Sequence, residues 1–235
     1  MCSQRPVISA SRRQDELKDI IMASDRLTSH PALLHALQCL DQQDSQLAMA
    51  RKQFGNPPDR FEPAQFSSLV RIILGQQISR QVAVALWKRM SEQSWTGAEA
   101  LAAIPYESLQ TIGLSRRKAE YIIDLARAEV SGELNLTELN KARADIFTTK
   151  LLSYRGIGGW TVSNYRLFCL ADFDAWPGND LALMEAVKRL KQLDHRPTHA
   201  EMDRFADGWH PYRGAAALML WHLYSCLVRD GTQTG

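Results

Sequence analysis

A short glycine turn, Gly156-Ile157-Gly158-Gly159, set between two stretches of helical periodicity, restricts the fold of this 235-residue chain more than any other feature. Before it, Ile146, Leu151, Leu152 and Tyr154 recur as one face of a helix; after it, Val162, Tyr165, Leu167, Phe168 and Leu170 do the same. Glycine suits so tight a reversal because it reaches positive φ without a Cβ clash. It also leaves the first N–H groups of the second helix uncovered, and an uncovered helix N-terminus attracts anions. Nucleotide-binding loops use Gly-x-Gly as well, but they follow a β-branched strand. Here Ala142 to Arg155 carries a polar–apolar helical pattern with no strand run.

Other segments are punctuated in the same manner. Phe66, Leu69, Val70, Ile73 and Leu74 form an apolar stripe that runs into Gly75-Gln76-Gln77-Ile78-Ser79, and Val82, Val84, Ala85, Leu86 and Met90 continue beyond it. Paired glutamines both donate and accept hydrogen bonds. They suit base edges or a gap in a stack of bases, but taken alone they read more simply as a solvated helix junction. Ile112-Gly113-Leu114 leads into Ser115-Arg116-Arg117-Lys118 and a helix from Ala119 to Val130. Ser115 is a candidate N-cap. The three basic residues read either as phosphate contacts or as an exposed helix start.

Towards the start, Ser29-His30-Pro31 opens a helical pattern with Pro31 in its first turn. Asp44 to Phe54 forms another, ended by Gly55-Asn56-Pro57-Pro58. Later helices are expected from Leu181 to Leu193, from Ala200 to Ala206 and from Ala215 to Val228, the last following Trp209-His210-Pro211-Tyr212-Arg213-Gly214. No strand pattern occurs, so the expected class is all-α.

Lys and Arg number 28 against 26 Asp and Glu, a net charge of +2 that excludes a uniformly basic coat but allows a local basic groove. Cys2, Cys39, Cys169 and Cys226 form no CxxC pair, which argues against a zinc site, an iron–sulfur cluster or a disulfide framework. No signal-like segment opens the sequence, and no run approaches the ~18 apolar residues of a membrane span. A soluble protein of a reducing compartment is expected.

Asp180 lies twenty residues past Trp160, at the start of a helix behind Trp176-Pro177-Gly178-Asn179. A helix from Trp160 to Leu170 spans on the order of 15 Å. Ala171 to Asn179 can extend over roughly 30 Å, enough to return Asp180 to the glycine turn. Helix capping alone would explain an aspartate there. Beside a phosphate-binding turn, however, a carboxylate repels the ligand unless positive charge develops nearby. Cleavage of an N-glycosidic bond develops such charge on the sugar. Chemistry on a base requires its extrusion from the stack, and the faces of Trp160 and Tyr212 could receive an electron-poor alkylated base.

Five ordered blocks, ILGQQIS at 73–79, GLSRRKAEYI at 113–122, YRGIGGWT at 154–161, PGNDLAL at 177–183 and WHPYRGAA at 209–216, resemble the helix-hairpin-helix DNA glycosylase superfamily. Within it they are most similar to the 3-methyladenine DNA glycosylase II branch, over about residues 30 to 228. The resemblance implies two helical lobes flanking a DNA cleft. Residues 25–65 and 161–235 would form one lobe and residues 66–160 the other, with residues 1–24 flexible. It implies Asp180 as the catalytic aspartate and a base pocket of Trp160, Tyr212, Gln76 and Trp209. The implied DNA contacts are Gln77 as the wedge, Ser79, Arg155, Gly156, Ile157, Gly158, Gly159, Thr161 and Arg116.

The backbone carbonyls of Leu152, Tyr154 and Gly156 are the implied holders of a potassium or sodium ion, with no other cofactor. Bifunctional relatives carry a Schiff-base lysine where this chain has Trp160, which implies hydrolysis by water without strand nicking. The implied substrate is duplex DNA containing 3-methyladenine or 7-methylguanine, acted on by a monomer in the cytoplasm or nucleus ahead of an abasic-site endonuclease. A same-fold enzyme for hypoxanthine, 1-methyladenine or a deaminated pyrimidine, or a non-catalytic damage binder, fits the same blocks. The chain departs from the branch at Tyr212 (tryptophan), Asn164 (tyrosine), Arg155 (proline) and Asn179 (a carboxylate). The extra N-terminal β-domain of the branch is not expected here.

Overall fold

Capping residues set most of the helix starts. In the computed structural model, which describes residues 30–231, Pro31 opens α1 (Pro31–Gln43) and His30 Nδ1 accepts from the Leu33 N–H at 3.4 Å. Asp44 then caps α2 (Ser45–Phe54), accepting from Gln46 and Leu47 N–H at 3.0 and 3.1 Å. After α3 (Phe66–Gly75), Ser79 caps α4 (Arg80–Glu92). Two short helices follow, α5 (Ala98–Ala102) and α6 (Tyr106–Thr111), before Ser115 caps α7 (Arg116–Val130) as its position suggests. The short α8 (Leu136–Leu139) and α9 (Ala144–Leu152) lead to the glycine turn and α10 (Gly159–Leu170). The chain ends in α11 (Leu181–Leu190), α12 (His199–Asp207) and α13 (Arg213–Gly231). Thr198 and Glu201 form a reciprocal capping box on α12. The class is all-α, with no strand among the described residues.

Apolar faces meet in two cores. The first joins α3 through α9 around Leu69, Ile73, Met90, Leu101, Ile122 and Phe147. The second joins α1, α2, α11, α12 and α13 around Leu33, Leu37, Leu183, Trp209 and Met219. The division expected at residue 160 does not separate them, because α10 serves both. Its Val162 and Tyr165 sink into the first core and its Leu167 into the second. Residues 1–24, expected to be flexible, lie outside the described residues. Among the described residues no helix is long and apolar enough to cross a membrane.

Candidate nucleic-acid interface and active site

Helix α10 begins where the hairpin ends, and its geometry depends on glycine. Gly156 holds φ +82°, and a Cβ there would come within 2.1 Å of the Tyr121 ring. Both the left-handed backbone and the tyrosine behind it therefore require the missing side chain. Ile157 is buried and anchors the turn in the first core. Gly158 is the N-cap, and no side chain caps α10. The opening amides of this helix, with the positive end of its dipole, are thus available to an anion.

Asp180 is brought to this turn by a loop tied to α13. The Gly214 N–H donates to Phe173 O at 2.6 Å, and Arg213 Nε and Nη2 reach the two oxygens of Asp174 at 2.8 and 2.5 Å. A Cβ on Gly214 would meet the carbonyls of Phe173 and Ala175 at 2.9 Å, so this contact too needs glycine. Asp180 caps α11 through Oδ1, accepting from Ala182 N–H at 2.9 Å and Leu183 N–H at 3.1 Å. Oδ1 also accepts from Trp221 Nε1 at 3.1 Å, and Oδ2 accepts from Trp160 Nε1 at 2.9 Å. Capping and a place in the site are therefore combined in one carboxylate. Trp160 is steadied in turn by the buried Asn164, whose Nδ2 donates to the Trp160 carbonyl at 2.7 Å.

A cleft of about 840 Å³ opens over these groups, large enough for a small ligand or an extruded base. Its walls are three segments: Gly75 to Ser79, the hairpin glycines with Trp160 and Thr161, and Asn179 to Ala182. The cleft thus gathers Gln76, Gln77, Ser79, Gly156, Gly158, Gly159, Trp160, Thr161 and Asp180 of the expected site residues. Asp180 is the one acidic or basic side chain lining it among the described residues.

Other expected site residues lie elsewhere. Trp209 is not a pocket residue: it is 2% exposed in the second core, and its Nε1 donates to Asp44 Oδ2 at 2.8 Å. Tyr212 does not line the cleft either. Its ring stands edge-on to His35 at 6.4 Å. Arg116 pairs with Glu120 at 2.8 Å and lies over the Tyr106 ring, outside the cleft lining. Arg155 is exposed at the hairpin rim, with its guanidinium 5.5 Å from the Tyr121 ring centre.

Two of the three carbonyls expected to hold a cation already accept hydrogen bonds. Gly156 O accepts from Gln76 Nε2 at 2.9 Å and Tyr154 O from Ile157 N–H at 3.2 Å. A carbonyl oxygen has two lone pairs, so one bond on each of two oxygens does not fill the Leu152, Tyr154 and Gly156 set.

Residues 70–211 match the family model described as HhH-GPD superfamily base excision DNA repair protein. The chain belongs to this superfamily. It is 31% identical over 174 residues to the DNA-3-methyladenine glycosylase of Bacillus subtilis (strain 168), covering 68% of this chain and 57% of that protein. The chain spans less than two thirds of the length of the first relatives it matches. Among solved structures it resembles the 3-methyladenine DNA glycosylase of Schizosaccharomyces pombe in complex with abasic DNA, with TM-score 0.73 and 25% identity over 80% of this chain and 95% of that one. A DNA-3-methyladenine glycosidase from Bacillus halodurans gives TM-score 0.70 and 28% identity over 87% and 94%.

In this HhH-GPD chain, residues that sequence reasoning missed complete the site. Trp221 lies 41 positions from the aspartate it contacts, and Lys118 holds the Gln76 turn from 42 positions away. Neither pairing leaves a local sequence signal.

Proposed function

We propose that the chain is a monofunctional DNA glycosylase of base excision repair that hydrolyses the N-glycosidic bond of alkylated purines, 3-methyladenine and 7-methylguanine. In this reading the N-terminal amides of α10 hold a backbone phosphate beside the lesion. Gln77 fills the gap that the extruded nucleotide leaves, and the base enters the cleft against Trp160. Asp180 stabilises positive charge developing on the sugar and orients a water molecule for attack at C1′. Water adds at C1′ and gives up a proton to the Asp180 carboxylate, while the N-glycosidic bond breaks and its electrons leave with the base. Trp160 has no amine to form a Schiff base, so the product is an intact strand with an abasic site.

The observation that carries the choice of substrate is the solitary Asp180 in the cleft lining. A neutral purine lesion needs a proton to leave as a stable base. A purine alkylated at N3 or N7 already carries a positive charge and departs neutral, so one carboxylate suffices. The positive charge also favours stacking on indole. Double-stranded DNA with alkylated bases is then the partner, and the enzyme works as a monomer, in the cytoplasm or nucleus, before an abasic-site endonuclease.

The test is chromatography of bases released from N-methylated duplex DNA and from hypoxanthine-containing DNA, with strand breakage scored before and after alkali. Release of the methylated purines, with breaks only after alkali, is expected. Preferential release of hypoxanthine would move the substrate class to neutral lesions, and DNA binding without release would make the chain a damage binder.

A further inference from the structure

Behind the cleft wall, a chain of hydrogen bonds links three elements. Lys118 stands in the first turn of α7, but unlike Arg116 and Arg117, which are exposed, it is turned inward. Its Nζ donates to Leu74 O at 3.0 Å and to Gln76 O at 2.8 Å. Burial pushes this ammonium below the usual lysine range, so the two carbonyls repay only part of its lost hydration. The side chain of Gln76 continues the chain: Nε2 donates to Gly156 O at 2.9 Å and to Thr161 Oγ1 at 2.8 Å. The glutamine expected to face an extruded nucleotide therefore has its amide committed to the hairpin.

Next to it, Gln77 is exposed and holds φ +57°. That left-handed conformation is costly for a residue with a Cβ, and such positions persist where their surroundings fix them. Leu74 O and Gln76 O both lie just before Gln77 in sequence, and both end on the same ammonium.

We propose that Lys118 and Gln76 are positioning residues that lock the exposed Gln77 to the phosphate-holding hairpin, so that gripping the backbone and filling the vacated stack occur as one event. The proposal rests on the base-extruding glycosylase reading and assigns neither residue to bond cleavage. Lys118 reaches the hairpin only through Gln76. Removing Lys118 is therefore expected to loosen the wedge more than the grip.

The experiment compares wild type with Lys118→Met, which keeps the apolar stem. A second conservative variant, Lys118→Arg, tests rescue by a retained cation. Single-turnover release of 7-methylguanine is measured opposite cytosine and opposite an abasic gap, where extrusion is easier. Binding to a tetrahydrofuran-containing duplex is followed by anisotropy, and 2-aminopurine opposite the gap reports its filling.

The expected result is release slowed about tenfold or more opposite cytosine, with at most about threefold change opposite the gap. Affinity for the tetrahydrofuran duplex should stay within about threefold while the 2-aminopurine response is lost, and Lys118→Arg should restore part of it. Equal loss on both substrates, or an unchanged fluorescence response, would overturn the proposal. If the wild type releases no base, the glycosylase reading fails separately. The split between affinity and 2-aminopurine response then decides the coupling alone, retained affinity with lost response supporting it and parallel change overturning it.

Discussion

At the scale of the residue, the site turns on the unequal treatment of the two oxygens of Asp180. Among the described residues Oδ1 takes three N–H donors, two from α11 and one from Trp221, whereas Oδ2 takes only Trp160. The bonds to Oδ1 fix the carboxylate plane, and in the proposed mechanism Oδ2, the less engaged oxygen, faces sugar or water. Trp221 is thereby a positioning residue for Asp180. Hydrogen bonds to a charged group contribute about 1.5–3 kcal/mol. Trp221→Phe, which keeps the ring packing against Phe168, is therefore predicted to slow single-turnover base release about ten- to a hundredfold. Affinity for abasic duplex should not change; a rate within about twofold of wild type would show that the bond does not position the carboxylate.

At the scale of the element, Asp44 staples distant helices. It caps α2 while its Oδ2 accepts from Lys191 Nζ at 2.6 Å, just past α11, and from Trp209 Nε1 at 2.8 Å, ahead of α13. Burial alone would raise its pKa, but the bonds from Lys191, Trp209 and Leu47 outweigh it and hold the carboxyl below its ordinary value of 3.8. A depressed carboxylate pKa gives stability that is complete above the unfolded value and is lost as pH falls through the folded one. Urea midpoints are therefore predicted to fall steeply below about pH 4. Asp44→Ala, which removes the cap and leaves Lys191 unpaired, should cost about 2–4 kcal/mol at neutral pH. It should also flatten the acid limb; an unaltered acid limb would place the lost carboxylate contribution elsewhere.

Asp44 also shows which parts of the chain were legible in its sequence. Helix starts at Pro31, Asp44, Ser115 and Asp180 follow from local rules, because a cap and its helix lie within a few residues. The hairpin was legible for the same reason. The aromatic turn at 209–212 was not: nothing local distinguishes a ring facing a cleft from one facing a core. The partner that draws Trp209 inward, Asp44, is 165 residues away. Gln76, expected in the base pocket, lines the cleft, but its amide is aimed by acceptors on Gly156 and Thr161, 80 and 85 residues on. Sequence pattern thus located the groups of the site, and long-range contacts decided which way several of them point.

At the scale of the whole molecule, a net charge of +2 cannot hold DNA by general attraction, so affinity has to come from a few local contacts. The candidates are the amides of α10 and cations at its rim such as Arg155. Each phosphate contact by a cation contributes a slope of about −0.9 to log K against log salt. Wild-type duplex binding is predicted to show a shallow slope, and Arg155→Ala should reduce its magnitude by about 0.9. A slope that does not respond to this substitution would remove Arg155 from the interface. Because α10 supports both cores, the hairpin, Trp160 and the loop to Asp180 all hang from an element whose displacement would disturb both halves.

The most direct test of this account compares single-turnover release of 7-methylguanine from duplex DNA by wild type and by Asp180→Asn. Asparagine is also a good N-cap, so melting temperature and abasic-duplex affinity are expected to stay close to wild type. The release rate should fall by at least about 10²–10³-fold, as expected when charge stabilisation is removed from a transition state. Release at an undiminished rate by a folded, DNA-binding Asp180→Asn protein would contradict the assignment of Asp180 and the mechanism built on it.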